Sequence, residues 1–175
     1  MFYLRDMPSP ETLRAHSQRY ANMSPVACEA FLVLLRVASD VLAAFDEYLG
    51  EHGLSQGRFT VLMILNRNPG TGLSPSDLAE RAGVTRATMT GLLDALEDEG
   101  LVARSAHPQD RRMLTVRLTE AGLRRLDGML PEYFRRIGAL LGDIEGDEQR
   151  ALTGLLRKVE ARVGEMSGQA LASGA

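Results

Sequence analysis

The feature that most constrains the fold is a pair of helix start and stop signals in the middle of the chain. The run Ser74-Pro75-Ser76-Asp77 opens a helix, because serine can cap it, proline suits its first position and the aspartate lies three residues past the cap. Ala82-Gly83 closes that helix, and Thr85 can cap a second one that continues to about Glu99. Glycine permits the left-handed backbone that a tight turn needs. The pattern therefore predicts two helices joined by a short turn.

Two segments of β character follow this pair. Leu101–Arg104 is short, whereas the run 113–118 alternates, with Leu114 and Val116 on one face and Thr115 on the other. The link between the two segments is polar, which predicts a hairpin with an extended tip.

Helical periodicity appears on both sides of this region. Apolar residues recur at steps of three and four after Pro25 and after three residues that can cap a helix, Ser55, Thr119 and Asp147. A shorter helix capped by Ser9 is predicted near the N-terminus. Three helices followed by a hairpin predict a mainly α protein with a winged helix-turn-helix lobe, a two-stranded wing and long flanking helices.

The second helix of such a pair lies in the major groove of DNA, with its first residues at the base edges. Its apolar face is formed by Met89, Leu92 and Leu96, so Arg86 and Thr90 point outward. Arginine can bind guanine through two hydrogen bonds, and threonine can contact phosphate or a thymine methyl group. The alternative for Arg86 is an ordinary surface charge.

The charge distribution is uneven. The net charge of −3 argues mildly against a nucleic-acid partner. Between Leu101 and Leu118, however, four arginines stand against one aspartate, a local charge of +3. This predicts a narrow basic surface on an otherwise acidic protein. The alternative is a solvated turn that holds one ion pair of little energetic value.

Three stretches carry a resemblance to a known family. They are Leu78 to Thr85, Leu92 to Val102, and Asp110-Arg111-Arg112 with the downstream Leu118 to Gly122. They resemble the MarR family of bacterial transcriptional regulators, and the resemblance extends from about Val26 to Val163. It implies that Arg112 enters the DNA minor groove and that Asp110 holds it there, and a narrow minor groove does attract arginine. Gly91 departs from the family pattern, in which a basic or larger polar residue is frequent.

The resemblance also implies partners and a division of the chain. Family members are usually homodimers joined by their terminal helices, and many bind small aromatic effectors. The expected partners are therefore double-stranded DNA with a pseudo-palindromic site, a second copy of the chain and a small effector that releases a repressor. The predicted regions are an N-terminal arm over 1–25, dimerisation helices over 26–52 and 120–166, a DNA-binding lobe over 54–119, and a flexible tail over 167–175.

Two sets of site residues follow from these predictions. The DNA-contact set contains Ser74, Thr85, Arg86, Thr88, Thr90, Arg104, Asp110, Arg111 and Arg112. The effector-pocket set contains Phe31, Leu35, Phe59, Met63, Tyr133 and Phe134, each of which is also an ordinary candidate for the hydrophobic core.

Two alternative functions remain open. Cys28 lies near the start of the first long helix, where related organic-hydroperoxide sensors carry a reactive thiol. Its apolar neighbours and the adjacent Glu29 disfavour a thiolate. The other alternative is a winged-helix module that binds protein and not DNA, which the acidic pI and Gly91 would suit.

Several classes of function are not expected. His16, His52 and His107 are far apart and lack metal-ligand spacing, and phosphate-loop and nucleophile motifs are absent. A single cysteine cannot form an internal disulfide, and no apolar run reaches the roughly 18 residues that a membrane helix needs. A cytoplasmic, non-enzymatic protein without metal, cofactor or catalytic residues is predicted.

Overall fold

The computed structural model describes residues 6–68, 70–106 and 114–172, with side chains up to residue 165. Its elements in chain order are α1 Pro10–Arg19, α2 Pro25–Glu51, α3 Gln56–Asn66, α4 Pro75–Ala82, α5 Arg86–Asp98, β1 Val102–Ala106, β2 Leu114–Leu118, α6 Glu120–Leu140 and α7 Gly146–Ala172. The chain forms two compact units, residues 1–125 and 126–175. None of the described helices combines the length and the apolar character that crossing a membrane requires.

The predicted helix starts are confirmed by their capping hydrogen bonds. Asp77 N–H donates to Ser74 Oγ at 3.1 Å and Ser74 N–H donates back to the Asp77 carboxylate at 3.4 Å, which makes a capping box at the start of α4. Thr88 N–H donates to Thr85 Oγ1 at 3.1 Å at the start of α5. Between them Gly83 has φ +65°, a conformation that disfavours any residue with a side chain. Local signals therefore determine this turn.

The core of the first unit lies among α3, α4, α5 and the two strands. Its fully buried side chains come from every layer of that lobe and from the end of α2: Tyr48, Leu49, Leu62, Leu78, Met89, Leu93, Leu96, Val102 and Val116. The predicted N-terminal helix also belongs to this unit, because α1 packs on α2 and Leu13 is buried. The region 1–25 thus contains a docked helix.

The hairpin pairs β1 and β2 antiparallel, with Val102 opposite Leu118 and Ala106 opposite Leu114. Leu73 adds a third segment through two backbone hydrogen bonds with Val116, at 3.0 and 2.8 Å. The alternation predicted for β2 does not produce one buried face, because Leu114 is 50% exposed and Thr115 only 3%. Gly72 accounts for the buried threonine: a Cβ on Gly72 would lie 1.9 Å from Thr115 Cγ2, so backbone covers that face.

The second unit contains the larger part of α6 and the whole of α7. Pro131 lies inside the continuous helix α6, and Leu126 and Met129 are buried. Glu132 accepts hydrogen bonds from Arg135 and Arg136, and these lower its pKa to about 2. The unit is thus helical throughout its described length, apart from the connection between α6 and α7.

The start of the last helix differs from the prediction. It begins at Gly146, one residue before the predicted cap Asp147, because Glu145 N–H donates to the Glu148 carboxylate at 2.9 Å and occupies the capping position. It continues to Ala172 and so includes the first residues of the region 167–175, for which a flexible tail stays a prediction. Residues 173–175 lie outside the described residues.

Candidate nucleic-acid interface

The N-terminal half of α5 presents an uninterrupted exposed surface. Arg86, Thr88, Thr90 and Gly91 are exposed and form what we call the outer face of α5, while Met89 is completely buried beneath it. A Cβ added to Gly91 would meet no heavy atom within 4 Å. The orientation predicted from the sequence is therefore confirmed: the arginine and the threonines point away from the core.

The hydroxyl groups of this surface are already engaged in part. Thr90 Oγ1 donates to Arg86 O at 3.0 Å, and the Thr85 and Thr88 hydroxyls lie 2.9 Å apart. A hydroxyl that donates its proton to the helix keeps its lone pairs and its methyl group for a ligand. In this rotamer, Thr90 therefore offers a methyl contact and no donor. Arg86 is exposed at the first position of α5, and its guanidinium carries several N–H donors that suit an anionic or carbonyl acceptor.

Ser74, a predicted DNA-contact residue, is the N-cap of α4. Its side-chain oxygen accepts the Asp77 N–H and so starts α4, the first helix of the pair. This bond uses one of the two lone pairs of the oxygen, and the O–H remains able to donate. The predicted DNA contact from Ser74 therefore stays a prediction, at a residue that also starts a helix.

Arg104, another predicted DNA-contact residue, lies on β1 and turns toward α5. Its Nη1 lies 2.6 Å from Asp94 Oδ1 and 3.1 Å from Glu97 Oε2, and its Nη2 donates to Thr90 O at 3.4 Å. The backbone N–H of Arg104 donates to Glu97 Oε1 at 3.0 Å. We call this group of Arg104, Asp94 and Glu97 the Arg104 brace. These contacts connect β1 to α5. The two carboxylates also offset the positive charge of Arg104, which is one of the four arginines that predicted a basic surface.

A second charged cluster lies at the C-terminal end of α5, close to the brace in sequence. Arg58 on α3 forms an ion pair with Glu99, and its Nη2 donates to Gly53 O at 2.8 Å. Arg125 donates to the neighbouring carbonyl of His52. The two arginines thus connect the end of α2 with α3, α5 and the start of α6. No local sequence signal indicates this cluster, since Arg58 and Glu99 are 41 residues apart.

The tip of the hairpin falls outside the described residues. Asp110, Arg111 and Arg112 all lie in the segment 107–113, so their predicted roles stay predictions. Arg117 is exposed on β2, the described strand nearest to that tip in sequence.

Comparison with known proteins places this arrangement in a family. Residues 54–114, which span the two helices and most of the hairpin, match the model of the MarR family. The HTH-type transcriptional repressor YetL of Bacillus subtilis is 36% identical over 146 residues, which cover 83% of this chain and 87% of that protein. The chain belongs to the MarR family. The resemblance drawn from the sequence motifs and the winged helix-turn-helix fold are thereby confirmed.

Solved structures of MarR-family character agree with this assignment. CouR from Rhodococcus jostii RHA1, solved bound to p-coumaroyl-CoA, is 27% identical with a TM-score of 0.66 over 75% of this chain and 91% of that one. BpsR of Bordetella bronchiseptica, whose DNA binding 6-hydroxynicotinic acid regulates, is 26% identical with a TM-score of 0.64 over 75% of this chain and 98% of that one. The present chain is a transcriptional regulator of this family.

The predicted effector-pocket residues occupy unlike environments in this MarR-family protein. Phe31 and Leu35 on α2 are 57% and 50% exposed, Met63 is half-buried, and Phe59 belongs to the core of the lobe. In the second unit the rings of Tyr133 and Phe134 meet edge to face, with centroids 5.6 Å apart. Cys28 is half-buried in the first turns of α2. Of this set, Phe31, Leu35 and Phe134 are exposed and offer apolar surface to a ligand without a change in conformation.

Proposed function

We propose that this MarR-family chain acts as a homodimer that binds a pseudo-palindromic site on double-stranded DNA and represses transcription until a small effector releases it. The observation that carries the proposal is the outer face of α5, an exposed arginine and threonine surface that begins directly after a capped tight turn. The name of the relative YetL, a transcriptional repressor, supports it. We further propose that the protein is cytoplasmic, since its proposed partner is DNA, and that it acts without a catalytic step or a cofactor.

The geometry suits insertion of α5 into the major groove. Arg86 stands at the first position of the helix, where helix-turn-helix proteins contact base edges. Gly91 has no side chain to hold the helix away from the duplex, so the backbone can approach closely. The hairpin would follow the DNA backbone, with Arg112 entering the minor groove and Asp110 and Arg111 beside it.

The dimer is proposed from apolar surface that neither unit covers. On α2, Val33 and Val37 lie one turn apart on the side opposite to Phe31 and Leu35, and each is about half exposed. On α7, the apolar residues Leu152, Leu155, Leu156, Val159 and Val163 are all at least 39% exposed. Exposed apolar stripes of this extent mark protein interfaces. A two-fold axis would present two copies of α5 to half-sites about 34 Å apart along the DNA.

The effector belongs to the same proposal. The ligand named with CouR is a coenzyme A thioester with an aromatic acyl group, and the one named with BpsR is a small aromatic acid. Both support an effector with an aromatic group, for which the exposed Phe31 and Leu35 provide apolar surface. Such a ligand releases DNA only if it binds the DNA-free arrangement of the dimer more tightly than the bound one.

The proposal is tested by capture of genomic fragments on the purified protein, followed by affinity measurements on the enriched duplex. We expect affinity to fall linearly with the logarithm of the salt concentration, because counterions are released from the phosphates. Competition with random duplex measures specificity. If neither genomic nor random DNA binds in a salt-dependent way, the proposed function is wrong.

Arg86→Ala is expected to relax the base preference at one position of each half-site, because an arginine that contacts a guanine discriminates by about 1–3 kcal/mol. The measurement is the affinity for a set of duplexes substituted at each position. Arg124→Ala is the control, since Arg124 is 71% exposed and forms an ion pair with Glu120 one turn away in its own helix. A uniform loss across all duplexes would identify Arg86 as a phosphate contact and contradict base recognition.

Arg112→Ala is expected to weaken binding to every duplex and to reduce the slope of log affinity against log salt by about 1, because one positive charge close to the phosphates is removed. A salt titration by fluorescence anisotropy measures both quantities. Arg14→Ala, which removes an exposed charge on α1, should leave the slope unchanged. Unaltered affinity of the Arg112 variant would rule out the predicted role of the hairpin tip.

A further inference from the structure

The Arg104 brace stands immediately beside the surface proposed to contact DNA. The guanidinium reaches the carbonyl of Thr90, a residue of the outer face of α5, at 3.4 Å. Asp94 and Glu97 continue along the same helix, one and two turns further on. The brace therefore connects the DNA-facing half of α5 with the strand that leads into the hairpin tip.

Its hydrogen bonds hold backbone as well as side chain. Glu97 accepts from the Arg104 backbone N–H at 3.0 Å and also lies 3.1 Å from the guanidinium. In the hairpin register Arg104 is opposite Val116, the residue that binds Leu73. One carboxylate thus fixes both the position of β1 against α5 and the direction of the arginine.

The charges of the brace argue against a phosphate contact. One arginine stands against two carboxylates, so the group carries a net negative charge at neutral pH. The Arg104 side chain is 22% exposed, whereas that of Asp94 is 54% exposed. To reach a phosphate, the guanidinium would have to leave two charge-assisted hydrogen bonds and uncover two carboxylates beside a polyanion.

We propose that Arg104 is a positioning residue and not a DNA contact: Asp94 and Glu97 hold it so that the hairpin and the outer face of α5 meet the duplex in a fixed relative orientation. The inference rests on the proposed DNA-binding function. It has an unusual consequence, which is that two negative charges next to the DNA surface strengthen binding.

The test is the double variant Asp94→Asn, Glu97→Gln, measured on the duplex enriched by genomic capture. Simple electrostatics predicts tighter binding when two negative charges are removed near DNA. The brace predicts the opposite sign, a loss of roughly tenfold, because interactions within one ion-pair network are strongly coupled. Asp98→Asn is the matched control: it removes a negative charge from the same helix without touching Arg104, and its affinity should stay equal or rise slightly.

Arg104→Gln separates positioning from phosphate contact. A positioning residue loses affinity with an unchanged salt slope, whereas loss of a phosphate contact lowers the slope by about 1. Circular dichroism confirms that each variant is folded. Amide hydrogen exchange on the DNA-free protein should show faster exchange along β1 in the double variant and no change in Asp98→Asn.

The outcomes are distinct. Weaker binding of the double variant together with faster exchange in β1 supports the brace. Tighter binding with a steeper salt slope, or unchanged exchange in β1, overturns it while the proposed function stands. If the unmodified protein fails to bind any DNA, the proposed function fails, and the positioning role fails with it.

Discussion

Replacing Gly122 with alanine is expected to lower the free energy of unfolding by about 3 kcal/mol, the upper part of the usual range for overpacking. A Cβ at this position would lie 2.2 Å from Leu101 O and 3.1 Å from Leu101 C. That carbonyl cannot easily move aside, because it accepts Thr119 N–H at 3.1 Å and Thr119 Oγ1 at 3.2 Å. The start of α6 would have to shift away from the base of the hairpin.

Gly128→Ala provides the control for this experiment. Gly128 lies in the same helix, and a Cβ there would meet no heavy atom within 4 Å. Removing a helical glycine should raise stability by about 0.5–1 kcal/mol through the lower entropy of the unfolded chain. Urea unfolding at one fixed protein concentration compares both variants, because the stability of a dimer depends on concentration. Equal stability of the two variants would contradict the close approach at Gly122.

The second large effect is expected from Leu155→Glu on α7. Leu155 is 59% exposed and stands on a stripe with Leu152, Leu156, Val159 and Val163. In a dimer joined through this stripe, the glutamate would bury an unpaired charge, so the protein should become monomeric. Each monomer would then hold one half-site, and the affinity for the full site should fall by about 100-fold or more through the loss of bivalent binding.

Ala161→Glu introduces the same charge on the opposite side of α7, as the helical repeat places it. This variant should remain dimeric and bind DNA as the unmodified chain does. Analytical ultracentrifugation measures the association state and fluorescence anisotropy the affinity. A Leu155 variant that stays dimeric would exclude the stripe as the interface.

The helix-turn-helix could be predicted residue by residue because its signals are local. A cap such as Ser74 or Thr85 accepts a hydrogen bond from the amide three residues further on. Gly83 adopts the positive φ of the turn because it has no side chain. The same holds for the outward direction of Arg86 and Thr90, which follows from the periodicity of a single helix. The predicted cap of α7 lies two residues too far along the chain, because Glu145 and Asp147 are both plausible caps and only the bond from Glu145 N–H to Glu148 decides between them.

Arg104 was predicted to contact DNA from its neighbours in sequence, but its partners in the structure lie on another element. Counting arginines gave the hairpin region a local charge of +3, yet Arg104 faces Asp94 and Glu97 from another element. Thr115 is a similar case, since its burial depends on Gly72 rather than on its own alternation in β2. Charge and burial depend on neighbours that are distant in sequence, which a count along the chain does not include.

By itself, the sequence determined the order of the elements, the capped turn between α4 and α5, the family and the face of α5 that is exposed. Each of these depends on interactions within a few residues or on a motif that can be compared directly. Only the tertiary structure decided that Arg104 is held by α5, that Arg58 joins the end of α2 to Glu99, and that α7 leaves its apolar stripe uncovered. These features arise when segments far apart in the chain pack together, and the free energy of such contacts depends on distances that the sequence alone does not specify.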